Sequence, residues 1–342
     1  MLNLKESVSF FSNNAIAFKL TIISVLPVVV FLFSMTIGHY KLGIYDILNL
    51  LFSDKSSYPQ IAQTVVFDVR LPRTLLAMMV GCSLAVSGAI YQGIFKNPMA
   101  SPNILGTSAG AGFGTAMAIV LSFGVVATQA MTFLFGLFAV GLTYAISTKV
   151  SKSNNMTLVF VLTGILVSTV FQALISLIKY VADPYEKLPT ITFWLMGSLA
   201  TADMDDIFII TLPFLIGMVP LFLIRWRINI LALNDDDIKC LGIDANKIRL
   251  IAISCSTLLT ASCVSVAGLV GWVGLIVPHI ARMLVGPDFR VLLPASALIG
   301  ATYLLLIDDI ARGAFMAEIP LSILTALIGA PYFIYLLLKT QR

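Results

Sequence analysis

Long apolar stretches dominate this chain of 342 residues and constrain its fold more than any other feature. Charged residues make up only 11% of the chain, and the mean hydropathy is +0.99. A soluble domain has about 25% charged residues, whereas a bilayer-spanning helix needs about 20 apolar residues in a row. The sequence therefore predicts an all-α, polytopic membrane protein with about ten spans in one transmembrane domain, 1–342. The predicted spans are 20–39, 73–95, 104–123, 126–148, 157–181, 204–224, 249–269, 272–286, 291–311 and 319–338.

The loops between these stretches predict an orientation. With both termini in the cytoplasm, about two thirds of the 21 lysine and arginine residues fall on the cytoplasmic side, as the positive-inside rule requires. A shorter apolar segment, 190–200, is expected to lie at the interface or to be re-entrant. The net charge of +4 follows from this loop bias, so no nucleic-acid partner is inferred.

The most charged segment of the chain is residues 234–249, which we call the charged island. It lies between two apolar stretches on the predicted cytoplasmic side. Asn234 is placed to cap a short helix, and Gly242 is placed to end it. Asp244 is placed to cap a second helical segment that runs into the next span. Three acidic residues fill the first turn, where the helix dipole favours them: Asp235, Asp236 and Asp237.

The charged island is also suited to contact a soluble partner. Ile238 and Leu241 are three residues apart, so both are predicted to lie on one helix face, as a plug into a partner's groove requires. An ordinary solvated loop is the alternative on composition alone. The chain has no phosphate-binding P-loop and no Gly-Lys pair, so any ATP hydrolysis must belong to another subunit.

Repeated glycines follow the second predicted span. Gly106, Gly110 and Gly114 are four residues apart, which predicts a smooth stripe for close helix packing that can also line a moving pathway. The two histidines and four cysteines form no recognisable metal motif, so neither a metal site nor a cofactor is predicted. Three polar side chains in or near the spans either line a pathway or form hydrogen bonds between helices: Tyr91, Gln92 and Gln172.

Several segments together resemble one family. They include Val69-Arg-Leu-Pro-Arg-Thr74, the Phe-Lys-Asn-Pro-Met-Ala-Ser-Pro core within 88–114, and Phe193-Trp-Leu-Met-Gly-Ser198. Further matches lie at 231–242, 268–290 and 318–332. In order and spacing these segments resemble the FecCD family, the permease subunits of type II ABC importers for iron–siderophore complexes, haem and cobalamin.

This resemblance implies a fold and a set of partners. Two permease subunits, identical or homologous, pack together in a bacterial or archaeal cytoplasmic membrane, within membrane lipid. Two cytoplasmic ABC ATPase subunits drive them, and an extracytoplasmic binding protein delivers the cargo. The resemblance makes residues 231–248 the coupling helices that dock on the ATPases, and the permease itself is not an enzyme.

The resemblance also implies a docking role for three basic residues. Arg70, Arg73 and Arg312 match family positions that meet acidic residues of the binding protein. Two alternatives remain open. Arginines at helix ends also anchor spans at the interface, and Asp308 and Asp309 lie one turn before Arg312, where they can form a local ion pair with it.

The sequence predicts the class of transporter more precisely than it predicts the cargo. A bare metal ion would need a cluster of ligands inside the membrane, and the sequence offers none, which favours a preformed metal chelate. An iron–siderophore complex is the first expectation, followed by a cobamide and haem, with an oxyanion such as molybdate as a further alternative. An ion-coupled secondary transporter is the rival class, but the acidic residues fall in loops or at span ends rather than mid-span.

Overall fold

The computed structural model describes residues 2–38, 40–53, 58–150, 156–233, 235–314 and 317–340, and the regular elements in these ranges are all helical. The α-helices are α1 (Leu2–Ser34), α2 (Ile44–Phe52), α3 (Gln60–Thr64), α4 (Leu71–Ile94), α5 (Thr107–Val120), α6 (Val125–Val150), α7 (Met156–Val181), α8 (Lys187–Met196), α9 (Met204–Ile228), α10 (Asp235–Cys240), α11 (Ala245–Ala267), α12 (Val273–Val285), α13 (Phe289–Gly313) and α14 (Leu321–Thr340).

The apolar helices correspond one for one to the predicted spans. Among the described residues, six helical stretches are long and apolar enough to cross a bilayer: Gln60–Ile94, Val125–Val150, Leu158–Val181, Met204–Ala232, Ala245–Ala267 and Phe289–Gly313. The same residues include four shorter apolar helices: Phe18–Ser34, Thr107–Val120, Val273–Val285 and Leu321–Leu336. The all-α, polytopic prediction is thus confirmed, and the orientation of the termini stays a prediction. The segment predicted to be interfacial or re-entrant, 190–200, contains most of α8.

Two features near the start of the chain differ from the prediction. The second span begins at Gln60 rather than at 73, because α3 and a π-helical turn, Val65–Arg70, continue directly into α4. The short helix α2 was not predicted. Its signal is the Asp46 side chain, which accepts a hydrogen bond from the Gly43 N–H at 3.0 Å, followed by apolar residues that the fold buries.

A few helices form the centre of the molecule and others surround them. The spans that contain α4, α11 and α13 are largely buried within the chain, whereas α6, α7 and α9 leave most of their apolar surface outside it. Backbones meet closely at the centre, because a Cβ atom on Gly81 would overlap the carbonyl group of Gly300. Small residues permit this approach, and van der Waals packing drives helix association in lipid.

Three helix ends meet where the chain leaves helical geometry. Gly197 follows α8 and Gly268 follows α11, and both have positive φ angles, of 72° and 68°. The N–H of Ser198 donates to the Ala267 carbonyl at 3.0 Å, and the N–H of Leu321 donates to the Gly197 carbonyl at 3.0 Å. The ends of α8 and α11 and the start of α14 therefore satisfy one another's backbone groups.

Candidate functional site

The charged island forms a short helix and a tight turn at the end of α9. A 3-10 helix, Asn229–Ala232, precedes α10, and Gly242 beyond α10 adopts φ +69°, which glycine tolerates without strain. Asp244 then caps α11 by accepting hydrogen bonds from two N–H groups of its first turn. Parts of the predicted first turn lie outside the described residues: all of Asn234 and the side chains of Asp235 and Asp236. The predicted pair of helical segments is observed.

The two apolar residues predicted to form a plug do not share a surface. Ile238 is 0% exposed and packs into the hydrophobic core, whereas Leu241 is 59% exposed. The predicted common face is wrong, because α10 ends at Cys240 and Leu241 lies in the turn beyond it. Ile238 therefore anchors α10 to its own subunit, and Leu241 is an exposed apolar side chain beside it.

A polar contact ties this region to α13. Asn229 donates from Nδ2 to Asp288 Oδ1 at 2.7 Å and accepts from the Phe289 N–H at 2.9 Å. Asp288 also caps α13 by accepting from the Arg290 N–H at 2.9 Å. That backbone hydrogen bond, helped by Asn229, lowers the pKa of Asp288. The sequence prediction missed this contact, because it joins residues about sixty positions apart.

The opposite end of α13 carries the predicted basic residues, and we call this the arginine end. Arg73 on α4 is held between two carboxylates from other segments. Its Nε and Nη2 atoms donate to Asp308 on α13 at 2.9 to 3.1 Å. Its Nη1 and Nη2 atoms donate to the two oxygens of Glu318 at 2.7 and 3.0 Å. Asp308 is fully buried, whereas the Glu318 side chain is 36% exposed.

Arg312 and Arg70 are also held within the chain. Arg312 Nη2 donates to Asp309 Oδ1 at 2.6 Å and to the Ser34 carbonyl at 2.7 Å, which joins α13 to α1. Arg70 donates to the Met35 carbonyl at 2.7 Å and to that of Tyr40. The local pair between Asp309 and Arg312, left open by the sequence, is observed.

The burial of these arginines bears on their predicted docking role. Arg70, Arg73 and Arg312 are all buried, and each already has partners in its own chain. A carboxylate of a binding protein would meet guanidinium groups that are buried and already hydrogen-bonded within the chain. Their role in docking stays a prediction.

A cavity of about 540 Å³ lies beside the three helix ends that meet near Gly197. Trp194 and Ser198 line one side of it, Gly268 lines another, and Glu318 and Pro320 border it from the loop before α14. The carboxylate that pairs with Arg73 thus lies in the wall of this cavity. Neither the cavity nor Glu318 was singled out from the sequence.

The glycine stripe is divided between a turn and a packed face. A Cβ atom on Gly114 would lie 2.5 Å from the Met131 carbonyl oxygen, and one on Gly110 would overlap α6 in the same way. Gly106 instead precedes α5, with φ +89°, and ends a 3-10 turn. Gly110 and Gly114 therefore hold α5 against α6.

The three polar residues differ in their surroundings. Tyr91 is fully buried, and its hydroxyl lies 3.0 Å from that of Thr257 on α11. Gln92 is buried and donates to the Leu275 carbonyl of α12 at 3.1 Å. Both residues join helices, as one of the two open alternatives stated, whereas Gln172 is exposed on α7.

Comparison with protein-family models matches residues 26–339 to the FecCD transport family. This match spans nearly the whole chain, from within α1 to the end of α14. The chain belongs to the FecCD transport family.

Relatives that are named for particular cargoes are similar over most of the chain. The molybdate import system permease protein MolB of Haemophilus influenzae is 42% identical over 329 residues, 96% of each chain. The cobalamin import system permease protein BtuC of Halobacterium salinarum is 41% identical over 280 residues, 82% of this chain and 74% of that one.

A solved structure shares the fold. It is described as an inward-facing conformation of a metal-chelate type ABC transporter, and it matches with a TM-score of 0.84 and 42% identity over 93% of this chain and 97% of that one. The chain is therefore an ABC importer permease of the FecCD family. The relatives are named for different cargoes, and family membership does not assign one.

Proposed function

We propose that this permease forms the membrane pathway of an importer together with a second permease chain, and that two cytoplasmic ATPase subunits drive it. The observation that carries the proposal is the geometry of 231–248, a short helix held to the core by Ile238 that presents Leu241 beyond its end. A docking element must be both exposed and firmly attached, because force applied to a loose loop would not reach the spans.

The contacts of this region provide a route for such force. Asp244 caps α11, which continues from the charged island into the centre of the molecule without a break. Asn229 joins the same region to Asp288 at the start of α13. A displacement of α10 by an ATPase would therefore act on two of the most buried spans.

We further propose that a binding protein docks at the arginine end. The segment just before α14 is held there, because Glu318 pairs with Arg73 and the Ile319 N–H donates to the Ala311 carbonyl at 3.2 Å. In this proposal Arg70, Arg73 and Arg312 shape the landing surface by ordering the segments around them. Rim charges of a partner would then steer the encounter more than they would add affinity.

For the cargo, we propose a compact oxyanion such as molybdate. The support is the relative named for molybdate import, which is 42% identical over 96% of both chains. A metal chelate, with an iron–siderophore complex first, is the second candidate, because the solved structure of equal identity is described as metal-chelate type.

The decisive experiment combines purification with transport. Tagged permease extracted in mild detergent is expected to bring down a P-loop ATPase. Vesicles containing that complex and its binding protein are expected to accumulate labelled molybdate only with ATP. Uptake of a ferric chelate instead would favour the second cargo, and uptake driven by an ion gradient without ATP would contradict the proposal.

A further inference from the structure

In the ion pair between Arg73 and Glu318, other contacts hold Arg73 in place more firmly than they hold Glu318. Arg73 is anchored on α4 and is held by the fully buried Asp308 of α13 through three hydrogen bonds. Glu318 lies in the loop before α14, and its side chain is partly exposed. Removal of Glu318 from this pair would therefore leave the guanidinium group in place.

The released N–H groups would face a space that can hold a ligand. Glu318 lies in the wall of the 540 Å³ cavity, so its departure would open a path from that cavity to Arg73. The space is much larger than the ~30 Å³ that one water occupies in the liquid. The same wall carries the hydroxyl-bearing residues Thr190, Ser198 and Thr201.

The charges of this end favour an anion as the replacement. Arg73 shares Asp308 with Arg312, and its other partner, Glu318, accepts two of the five hydrogen bonds that the Arg73 side chain donates. Loss of Glu318 would leave a buried, charged guanidinium short of two acceptors, which is unfavourable. A tetrahedral oxyanion can accept both released N–H groups of the guanidinium in the bidentate geometry that arginine prefers.

We propose that Arg73 is a masked oxyanion-binding site, and that an oxyanion in the cavity replaces Glu318 on it during passage. Glu318 excludes anions while the site is empty and returns when the anion leaves. This inference deepens the proposed function, because it rests on an oxyanion cargo.

Equilibrium dialysis of labelled molybdate against the purified full-length permease in detergent tests the site without ATPase or binding protein. Glu318→Gln keeps the size of the side chain but removes its charge, so molybdate is expected to bind about tenfold more tightly than to the wild type, the effect of one charge-assisted hydrogen bond. Adding Arg73→Gln to that variant is expected to abolish the gain. Asp68→Asn, at an exposed acidic residue near Arg70, is the matched control and should leave binding unchanged.

Equal affinities for Glu318→Gln and Asp68→Asn would overturn the proposal, and so would a gain that survives the loss of Arg73. Glu318→Asp offers a second test that retains the charge, and it is expected to fall between the wild type and Glu318→Gln because the shorter carboxylate reaches Arg73 less well. Equal molybdate affinities of Glu318→Asp and Glu318→Gln would contradict the proposed exchange. A permease that binds molybdate in this way but purifies without an ATPase would support the site while contradicting the proposed function.

Discussion

Gly88 on α4 packs against the backbone of Gly274 on α12 so closely that a Cβ atom on Gly88 would overlap the Gly274 carbonyl group. The obstacle is backbone rather than a flexible side chain, so the two helices must separate to admit even a methyl group. This contact makes the α4–α12 interface intolerant of any side chain at position 88.

Gly88→Ala is therefore expected to destabilise the protein by about 2 kcal/mol, in the range of overpacked interiors. Thermal unfolding of the purified permease in detergent measures the effect. Gly141→Ala on the exposed face of α6 is the control, because no atom lies within 4 Å of its Cβ position. That change should be neutral or slightly stabilising, since alanine favours helix over glycine by about 1 kcal/mol. Equal melting temperatures for the two variants would refute the close contact.

Asp308→Asn is expected to lower the free energy of unfolding by about 3 kcal/mol or more, because it leaves Arg73 short of a buried countercharge. Asp68→Asn, at the same end but exposed, should stay within about 0.5 kcal/mol of the wild type. Replacing both members of the pair with apolar residues, Arg73→Met and Asp308→Leu, should recover much of the loss. Denaturant or thermal unfolding distinguishes these cases, and a double variant as unstable as Asp308→Asn would show that the pair itself is not the cause.

Ile238→Ala is expected to affect the stability of the fold, and Leu241→Ala is expected to affect coupling to the ATPase. Ile238 is fully buried, so its truncation is expected to cost about 2–4 kcal/mol of stability. Leu241 is exposed, so its truncation should leave the melting temperature unchanged and reduce the ATP hydrolysis that cargo and binding protein stimulate. Unimpaired stimulation in the Leu241 variant would remove this residue from the proposed ATPase contact.

The Asp288 carboxylate gives a prediction for pH. Its pKa is lowered in the folded protein, chiefly by the hydrogen bond from the Arg290 N–H, so the folded state favours the charged form. The resulting stability is present above the ordinary value of 3.8 and is lost as the pH falls through the lower folded pKa. Asp288→Asn should therefore melt below the wild type at neutral pH, and the gap should narrow in acid. A constant gap from about pH 7 to pH 3 would contradict this linkage.

The spans could be predicted because length and polarity alone determine which segments fit a bilayer. Asp244 could also be predicted as a cap, since capping depends on neighbours two and three residues away. The prediction that Ile238 and Leu241 share a helix face was wrong for a local reason. Helical spacing places residues on one face only inside a helix, and α10 ends at Cys240.

Most contacts at the arginine end could not be predicted from sequence patterns. Arg73 meets Asp308 across 235 positions and Glu318 across 245. Helical spacing suggested the pair of Asp309 and Arg312, but nothing local indicates which distant carboxylates reach Arg73. The same holds for the cavity, because its wall is assembled from segments that meet only after the helices pack.

The hydrogen bonds among the ends of α8, α11 and α14 have a mechanical consequence. The Ser198 N–H needs the Ala267 carbonyl, and the Leu321 N–H needs the Gly197 carbonyl. Pulling any one of these ends away would leave backbone groups without their hydrogen-bond partners, which costs free energy. We therefore expect the ends of α8 and α11 and the start of α14 to move together as one rigid body. Any hinge for alternating access in this subunit is then expected to lie outside these three helix ends.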